Sequence, residues 1–127
     1  MVEVEQTETR IINPNKMTNK ELRKGNDALR RCLNPVETGR PQDVVLMTRG
    51  VAAERLRLAE VVQKVMTFDA FGENNDPHGE HDFGKVTVAG EDYFFKIDYY
   101  DQDLKLGANP LREPFRRVLT ILRADEY

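Results

Sequence analysis

The 127-residue chain has no serine, no tryptophan, one cysteine and two histidines. Without serine there is no serine nucleophile, which excludes the hydrolases that depend on one. A lone Cys32 excludes an intrachain disulfide and fits a reducing cytoplasm. No apolar run approaches the length of a membrane span, and the acidic N-terminus lacks the basic-then-apolar order of a signal peptide. We therefore expect a cytoplasmic protein with no membrane segment.

Charge is unevenly distributed along the chain. The net charge is −3, with a balance of +3 over residues 1–57 and −6 over residues 58–127. Proteins that bind free nucleic acid usually carry a basic stripe, and none is visible here. The acidic half suits a basic protein surface, a cation or plain solvation. Free nucleic acid is therefore not an expected partner.

The hydrophobic pattern predicts one α+β domain over residues 18–127, preceded by a flexible tail over residues 1–17. A helix begins with a capping box at Thr18 and Glu21, and a short buried strand spans Val44 to Thr48. A long amphipathic helix follows in "VAAERLRLAEVVQKVMTF". Two strands of a hairpin and a final strand, "RRVLTILRA", complete the order α-β-α-β-β-β. This order indicates a mainly antiparallel sheet with helices packed on one face.

The hairpin strands "FGKVTVA" and "DYFFKIDYYD" are joined by a short glycine-containing link. With Gly90-Glu91 as a two-residue turn, Lys85 lies opposite Lys96 and the ladder continues outward. Six side chains would then share one face: His81, Phe83, Lys85, Lys96, Asp98 and Tyr100. This face is either a polar surface crossed by ion pairs or an acid–base site.

In the acid–base interpretation, His81 is the general base, Asp98 orients it and Lys96 stabilises an anion. Tyr100 completes these catalytic candidates. A divalent metal held by Asp76, Glu80 or Asp82 could assist. No resident cofactor is assigned.

The segment "NDPHGEHDFG", residues 75–84, concentrates histidine, carboxylates and glycine. The proline and glycines argue for a loop, where His78 and His81 need not face one another, and the spacing does not match a calcium loop. A rigid, hydrogen-bonded turn is the structural alternative, and such a turn also suits a binding surface. The binding candidates are Asn75, Asp76, Glu80, Asp82 and Asp101.

The segments "LMTRGV", "NDPHGEHDFG", "FFKIDYYD" and "RVLTILRADEY" together resemble a small bacterial domain family of unknown function. That family occurs in alphaproteobacteria, often on plasmids or other mobile elements, and the resemblance covers residues 26–127. The position of His78 is commonly tyrosine in the family, which favours His81 over a pair of histidines. The resemblance implies that the motif positions are Asn75, Asp76, Gly79, Glu80, His81, Asp82, Phe83, Gly84, Lys96, Asp98, Tyr99, Tyr100 and Asp101.

The family brings no reaction with it, and its genomic setting implies an accessory role in mobile elements. The sequence favours a non-catalytic binding protein that engages a protein partner through its acidic loop and the polar face of its hairpin. The alternative is a small metal-assisted hydrolase or nuclease, acting on a phosphoester, with His81 as general base. A free strand edge near "FFKIDYY" leaves homo-oligomers open.

Overall fold

The computed structural model describes residues 17–127, so the predicted tail falls almost wholly outside the described residues. The elements are α1 (Asn19–Cys32), β1 (Val44–Met47), α2 (Arg49–Ala52), α3 (Arg55–Met66), β2 (Phe83–Val88), β3 (Glu91–Tyr100), β4 (Arg116–Arg123) and a short 3-10 helix (Ala124–Glu126).

The four strands form one sheet in the order β1-β4-β3-β2. β1 pairs with β4 in parallel, whereas β3 is antiparallel to both of its neighbours. The predicted α+β class with a mainly antiparallel sheet is therefore confirmed. β3, which contains "FFKIDYY", lies inside the sheet, so the prediction of a free edge there is wrong. Among residues 17–127, the edge strands of the sheet are β1 and β2.

Helix α1 begins at the predicted capping box. The Glu21 amide donates to Thr18 Oγ1 at 3.1 Å, and the Thr18 amide donates to the Glu21 carboxylate at 3.0 Å. Its inner face buries Leu22 and Leu29, together with two polar residues, Asn26 and Arg30. Cys32, at the end of α1, is partly buried.

The long helix expected after β1 is interrupted. α2 ends at Ala52 and α3 begins at Arg55, because Glu54 has non-helical backbone angles (φ −89°, ψ 63°). Its carboxylate accepts a hydrogen bond from Tyr93 at 2.6 Å and pairs with Arg123 at 3.0 Å. These contacts hold the chain at the break.

The hairpin turn consists of Ala89 and Gly90, which both have positive φ (52° and 79°), and Val88 pairs with Glu91. Positive φ at both central residues is the signature of a type I′ turn. The register predicted from a Gly90-Glu91 turn is therefore wrong by two residues. Lys85 faces Phe94, and Lys96 faces Phe83, so the expected lysine pair does not form.

A two-residue shift leaves every side chain on its predicted face, because strand side chains alternate with a period of two. The inner face of the sheet therefore meets the helices as expected. The core consists of Leu29, Val51, Val61, Val65, Val86, Val88, Tyr93, Phe95, Ile97, Leu119 and Ile121. Among the helices described, none is long and apolar enough to cross a membrane.

Candidate functional site

His81 lies just before β2 and has a positive φ of 57°. This left-handed conformation interrupts the strand alternation and turns the ring toward α1 on the inner side of the sheet. Nδ1 lies 2.9 Å from an Asp27 carboxylate oxygen, and Nε2 lies 3.5 Å from Asp76. The ring is stacked on Phe71, with centroids 3.8 Å apart and planes 4° from parallel. Both ring nitrogens therefore face carboxylates.

Three of the four catalytic candidates remain together on the outer face of β3. Lys96, Asp98 and Tyr100 alternate with inward-facing neighbours, and the Lys96 ammonium lies 3.2 Å from the Asp98 carboxylate. His81 is on the inner side with Asp27. The expected pairing of His81 with Asp98 is therefore wrong, because the chain leaves the strand geometry at His81.

The loop before β2 is organised by its own carboxamide and carboxylate side chains. Asn75 Oδ1 accepts from the Gly72 amide at 2.7 Å, and its amide group donates to the Ala70 carbonyl at 2.9 Å. Asp76 accepts from the amides of Glu80 and His81 at 3.0 and 3.1 Å. The Asp76 side chain is only 6% exposed. The binding candidates Asn75 and Asp76 therefore stabilise the conformation of the loop through hydrogen bonds to its backbone.

A group of buried and partly buried polar side chains connects this loop to α1 and to β4. Asn26 donates to the Glu80 carbonyl at 3.0 Å and to the Tyr99 hydroxyl at 2.8 Å, and the Tyr99 hydroxyl donates to the Glu80 carboxylate at 2.9 Å. Arg117 donates to Asn26 Oδ1 at 2.6 Å. We call these four residues the polar junction: Asn26, Glu80, Tyr99 and Arg117. Burial raises the pKa of the Tyr99 hydroxyl, and the nearby Glu80 carboxylate adds to this effect.

Arg30 and Asp27 hold the other side of the loop. The Arg30 side chain is 1% exposed and donates to the carbonyls of Val65 and Phe68 as well as to Asp27. Burial acts to raise the pKa of Asp27. The hydrogen bonds from Arg30 and His81 outweigh this effect, so the pKa lies below its ordinary value.

The pKa of Asp82 is shifted in the opposite direction to that of Asp27. Burial raises the pKa of its carboxyl, and the negative charges of Glu80, Asp76 and Asp98 raise it further. No basic side chain among residues 17–127 forms an ion pair with it. Asp82 is followed directly by β2, and its carbonyl accepts from the Ile97 amide at 2.8 Å, which brings it beside Asp98 on β3. We call the pair Asp82 and Asp98 the acidic surface.

Asp101, the remaining binding candidate, closes the turn after β3. Its carboxylate accepts from the Lys105 amide at 2.9 Å. This and other backbone amides lower the pKa of Asp101. The side chain thus stabilises a local turn.

The two histidines do not act together. His78 is exposed, and no described side chain hydrogen-bonds to it. Within residues 17–127, no three His, Cys, Asp or Glu side chains are arranged to hold a metal ion.

Sequence reasoning missed the contribution of α1 to this site. Its candidates did not include three residues of α1, Asn26, Asp27 and Arg30. They also did not include Phe71, whose ring stacks on His81. One signal was present: Asn26 interrupts the apolar stripe that runs through Leu22 and Leu29, and a polar residue in a core-facing stripe needs a buried partner. Nothing in the sequence identified that partner as Glu80, Tyr99 or Arg117.

Comparison with known proteins agrees with the expectation of a domain family of unknown function. Residues 47–126 match the family described as "Protein of unknown function (DUF3768)". No curated protein and no solved structure matches the chain. The match includes the loop, the hairpin and β4, so the chain belongs to this family of unknown function.

Proposed function

We propose that this chain is a non-catalytic binding protein whose acidic surface engages a basic surface on a protein partner. The observation that carries the proposal is the environment of Asp82. Its carboxyl is half-buried near Glu80 and Asp98; burial raises its pKa, and the negative charges around it raise the pKa further. A Lys or Arg side chain placed there would relieve the repulsion, so a basic partner gains more than simple surface attraction.

The loop that presents these carboxylates is held in place before any partner arrives. His81 joins it to Asp27, and Asn26 joins it to the carbonyl of Glu80. A surface that is already ordered loses little conformational entropy on binding. The polar junction and the His81–Asp27 contact thus act as the support of the binding surface, and Asp82 and Asp98 act as its contacts.

The outer face of the hairpin extends this surface. The Asp98 side chain is 41% exposed and that of Lys96 is 35% exposed. Their mutual ion pair is a surface contact of small energetic value, about 0–1 kcal/mol, so a partner can exchange it without a large cost. The setting we propose is that of an accessory protein of bacterial mobile elements, working in the cytoplasm.

The hydrolase alternative requires His81 to act as general base with Asp98 orienting it. His81 directs one nitrogen at Asp27 and the other at Asp76, and Asp98 is on the other face of the sheet. No observation on the site favours a phosphoester substrate over a protein partner.

The experiment is a titration of the protein with a short lysine- and arginine-rich peptide, followed by the shifts of backbone amide signals in NMR. We expect the largest shifts at Glu80, Asp82 and Asp98. Asp82→Asn and Asp98→Asn should each weaken binding several-fold. Glu37→Gln is the matched control, because Glu37 is an exposed carboxylate in the turn over residues 35–39. Equal weakening by all three variants would show an effect of net charge alone and would overturn the proposal.

A further inference from the structure

The outer face of the hairpin carries alternating aromatic rings and lysines. In the register of β2 and β3, Phe83 lies opposite Lys96, and Lys85 lies opposite Phe94. Each phenylalanine therefore has a lysine as its cross-strand neighbour. The two phenylalanine rings are in contact along the diagonal, with centroids 5.1 Å apart. Since the two lysines belong to different strands, the pairing of the hairpin is what brings their charges together on one surface.

A third ring, that of Tyr127, adjoins these two. Its centroid lies 5.4 Å from that of Phe94 and 6.1 Å from that of Phe83. The preceding residue, Glu126, holds this segment against the sheet, because its carboxylate accepts a hydrogen bond from Thr48 Oγ1 at 2.6 Å. We call the whole group the aromatic–lysine patch, and it consists of Phe83, Lys85, Phe94, Lys96 and Tyr127.

The patch is accessible to solvent. Tyr127 is 73% exposed, Lys85 is exposed, and the Lys96 side chain is 35% exposed. Aromatic rings on the surface of a sheet stack on the planar bases of single-stranded nucleic acids, and nearby lysines pair with the phosphates. A double strand offers no such stacking, because its bases are already paired and stacked on one another. The chemistry of the patch therefore matches a single strand.

We propose that the aromatic–lysine patch binds single-stranded nucleic acid, with bases stacked on its rings and phosphates paired with its lysines. The charge of the patch selects this ligand, because lysines beside the rings repel the cationic side chains that aromatic rings otherwise attract. Stacking supplies most of the affinity, so a basic stripe along the sequence is not required. This proposal departs from the expectation of no nucleic-acid partner, and it does not rest on the binding of a basic protein by Asp82 and Asp98.

The carboxylate of Asp98 affects the two proposed interactions in opposite directions. It lies 3.2 Å from the Lys96 ammonium. There it reduces the positive charge available to a phosphate, whereas it attracts the lysines and arginines of a basic peptide. Asp98→Asn should therefore strengthen the binding of a single strand about twofold, while it weakens the binding of the peptide.

The test is a titration of the full chain with a short single-stranded oligothymidine, followed by NMR. We expect the largest shifts at Phe83, Phe94 and Tyr127. Tyr127→Leu should weaken binding about fivefold or more, because it removes one stacking surface. Tyr127→Phe keeps the ring and should bind as the unmodified protein does. The amide signal of Leu119, which is buried in the core, reports whether each variant is folded.

Salt dependence tests the lysines separately from the rings. For single strands, the slope of log affinity against log salt concentration is about −0.7 for each phosphate neutralised. Lys85→Gln should therefore make this slope less steep by about 0.7. Lys24→Gln is the matched control and should leave the slope unchanged, because Lys24 is exposed on α1, which packs on the inner face of the sheet.

Three outcomes would overturn the proposal. The first is a lack of saturable shifts at the rings when oligothymidine is added. The second is equal binding by Tyr127→Leu and Tyr127→Phe, which would exclude stacking. The third is equally tight binding of a polyglutamate peptide, which would assign the patch to an acidic protein partner. Failure of the basic peptide to bind would contradict only the function proposed above, since the oligothymidine titration does not involve that peptide.

Discussion

His81 Nδ1 lies 2.9 Å from the carboxylate of Asp27, although 54 residues separate the two in the sequence. This contact fastens the loop that precedes β2 to the first helix. It also assigns the histidine a structural partner on the inner side of the sheet, away from Asp98. The proposed binding surface depends on it, because the adjacent residues Glu80 and Asp82 take their positions from the same loop.

Replacing His81 with alanine should lower the free energy of unfolding by about 1–3 kcal/mol, because Asp27 loses a hydrogen-bonding partner in a partly buried site. Loss of the stack on Phe71 adds to this effect. His78→Ala is the matched control and should change stability by less than about 0.5 kcal/mol, since that side chain is exposed. Chemical denaturation of both variants measures the difference. Equal losses of stability in the two variants would contradict the role of His81 in holding the loop to α1.

Asp27 should make the protein sensitive to acid. Its pKa in the folded state lies below the ordinary value of 3.8, because the hydrogen bonds from Arg30 and His81 outweigh the effect of burial. A carboxyl of this kind stabilises the fold above its unfolded pKa, and this contribution is lost as the pH falls through the folded value. Unfolding free energy measured from pH 6 downward to about pH 2 should therefore fall less steeply in Asp27→Asn than in the unmodified protein. The same dependence of unfolding free energy on pH in the variant and in the unmodified protein would exclude Asp27 as the source of the acid sensitivity.

Asp82 should affect the pH dependence of the unfolding free energy in the opposite direction to Asp27. Burial and the neighbouring carboxylates raise its pKa above 3.8, so the folded state holds the proton more tightly than the unfolded state. Its charge therefore destabilises the fold above the folded pKa, and this cost disappears as the pH falls toward 3.8. Asp82→Asn should raise the melting temperature at pH 7 and weaken binding of a basic peptide. A variant that is less stable at pH 7 would show that the carboxylate has a favourable contact in the fold.

Gly25→Ala should destabilise the protein, although alanine is the better helix former by about 1 kcal/mol. A Cβ at this position would clash with the guanidinium group of Arg117. Arg117 is buried and held by Asn26 and Asp43, so moving its guanidinium group would weaken these contacts. We expect a net loss of about 1–2 kcal/mol from overpacking.

Lys24→Ala is the matched control for Gly25→Ala, since Lys24 is exposed on the same helix and should tolerate the change. Thermal unfolding compares the two variants. A rise in melting temperature for Gly25→Ala would show that Arg117 can move.

The features that the sequence predicted correctly are those with a local signal. The capping box at Thr18 is complete within four residues, and the alternation of β3 identifies Tyr93 and Phe95 as core whichever register is chosen. The turn was misplaced because a positive φ is unfavourable for alanine, so Gly90-Glu91 is the more favourable sequence choice. In the structure the pairing of β2 with β3 imposes this conformation on Ala89.

The site itself was less predictable, for a similar reason. The side-chain direction of His81 depends on its left-handed backbone, which the sequence does not reveal for a residue other than glycine. Asp27 belongs to a helix that is remote in sequence, and its partner depends on how α1 lies across the sheet. Thr48 and Gly50 lie at the start of α2, and the N-terminus of a helix can accept an anion. In the structure they bind the carboxylate of Glu126 from the end of the chain.

The most direct measurement of the central claim is the pKa of the Asp82 carboxyl, followed by carbon-detected NMR with and without the lysine- and arginine-rich peptide. We expect the pKa in the free protein to lie above its ordinary value and to fall when the peptide is bound, since a cation beside Asp82 favours the charged form. The backbone amide signal of Glu37 should not move. A peptide that binds without changing the pKa of Asp82 would place the partner elsewhere and contradict the account.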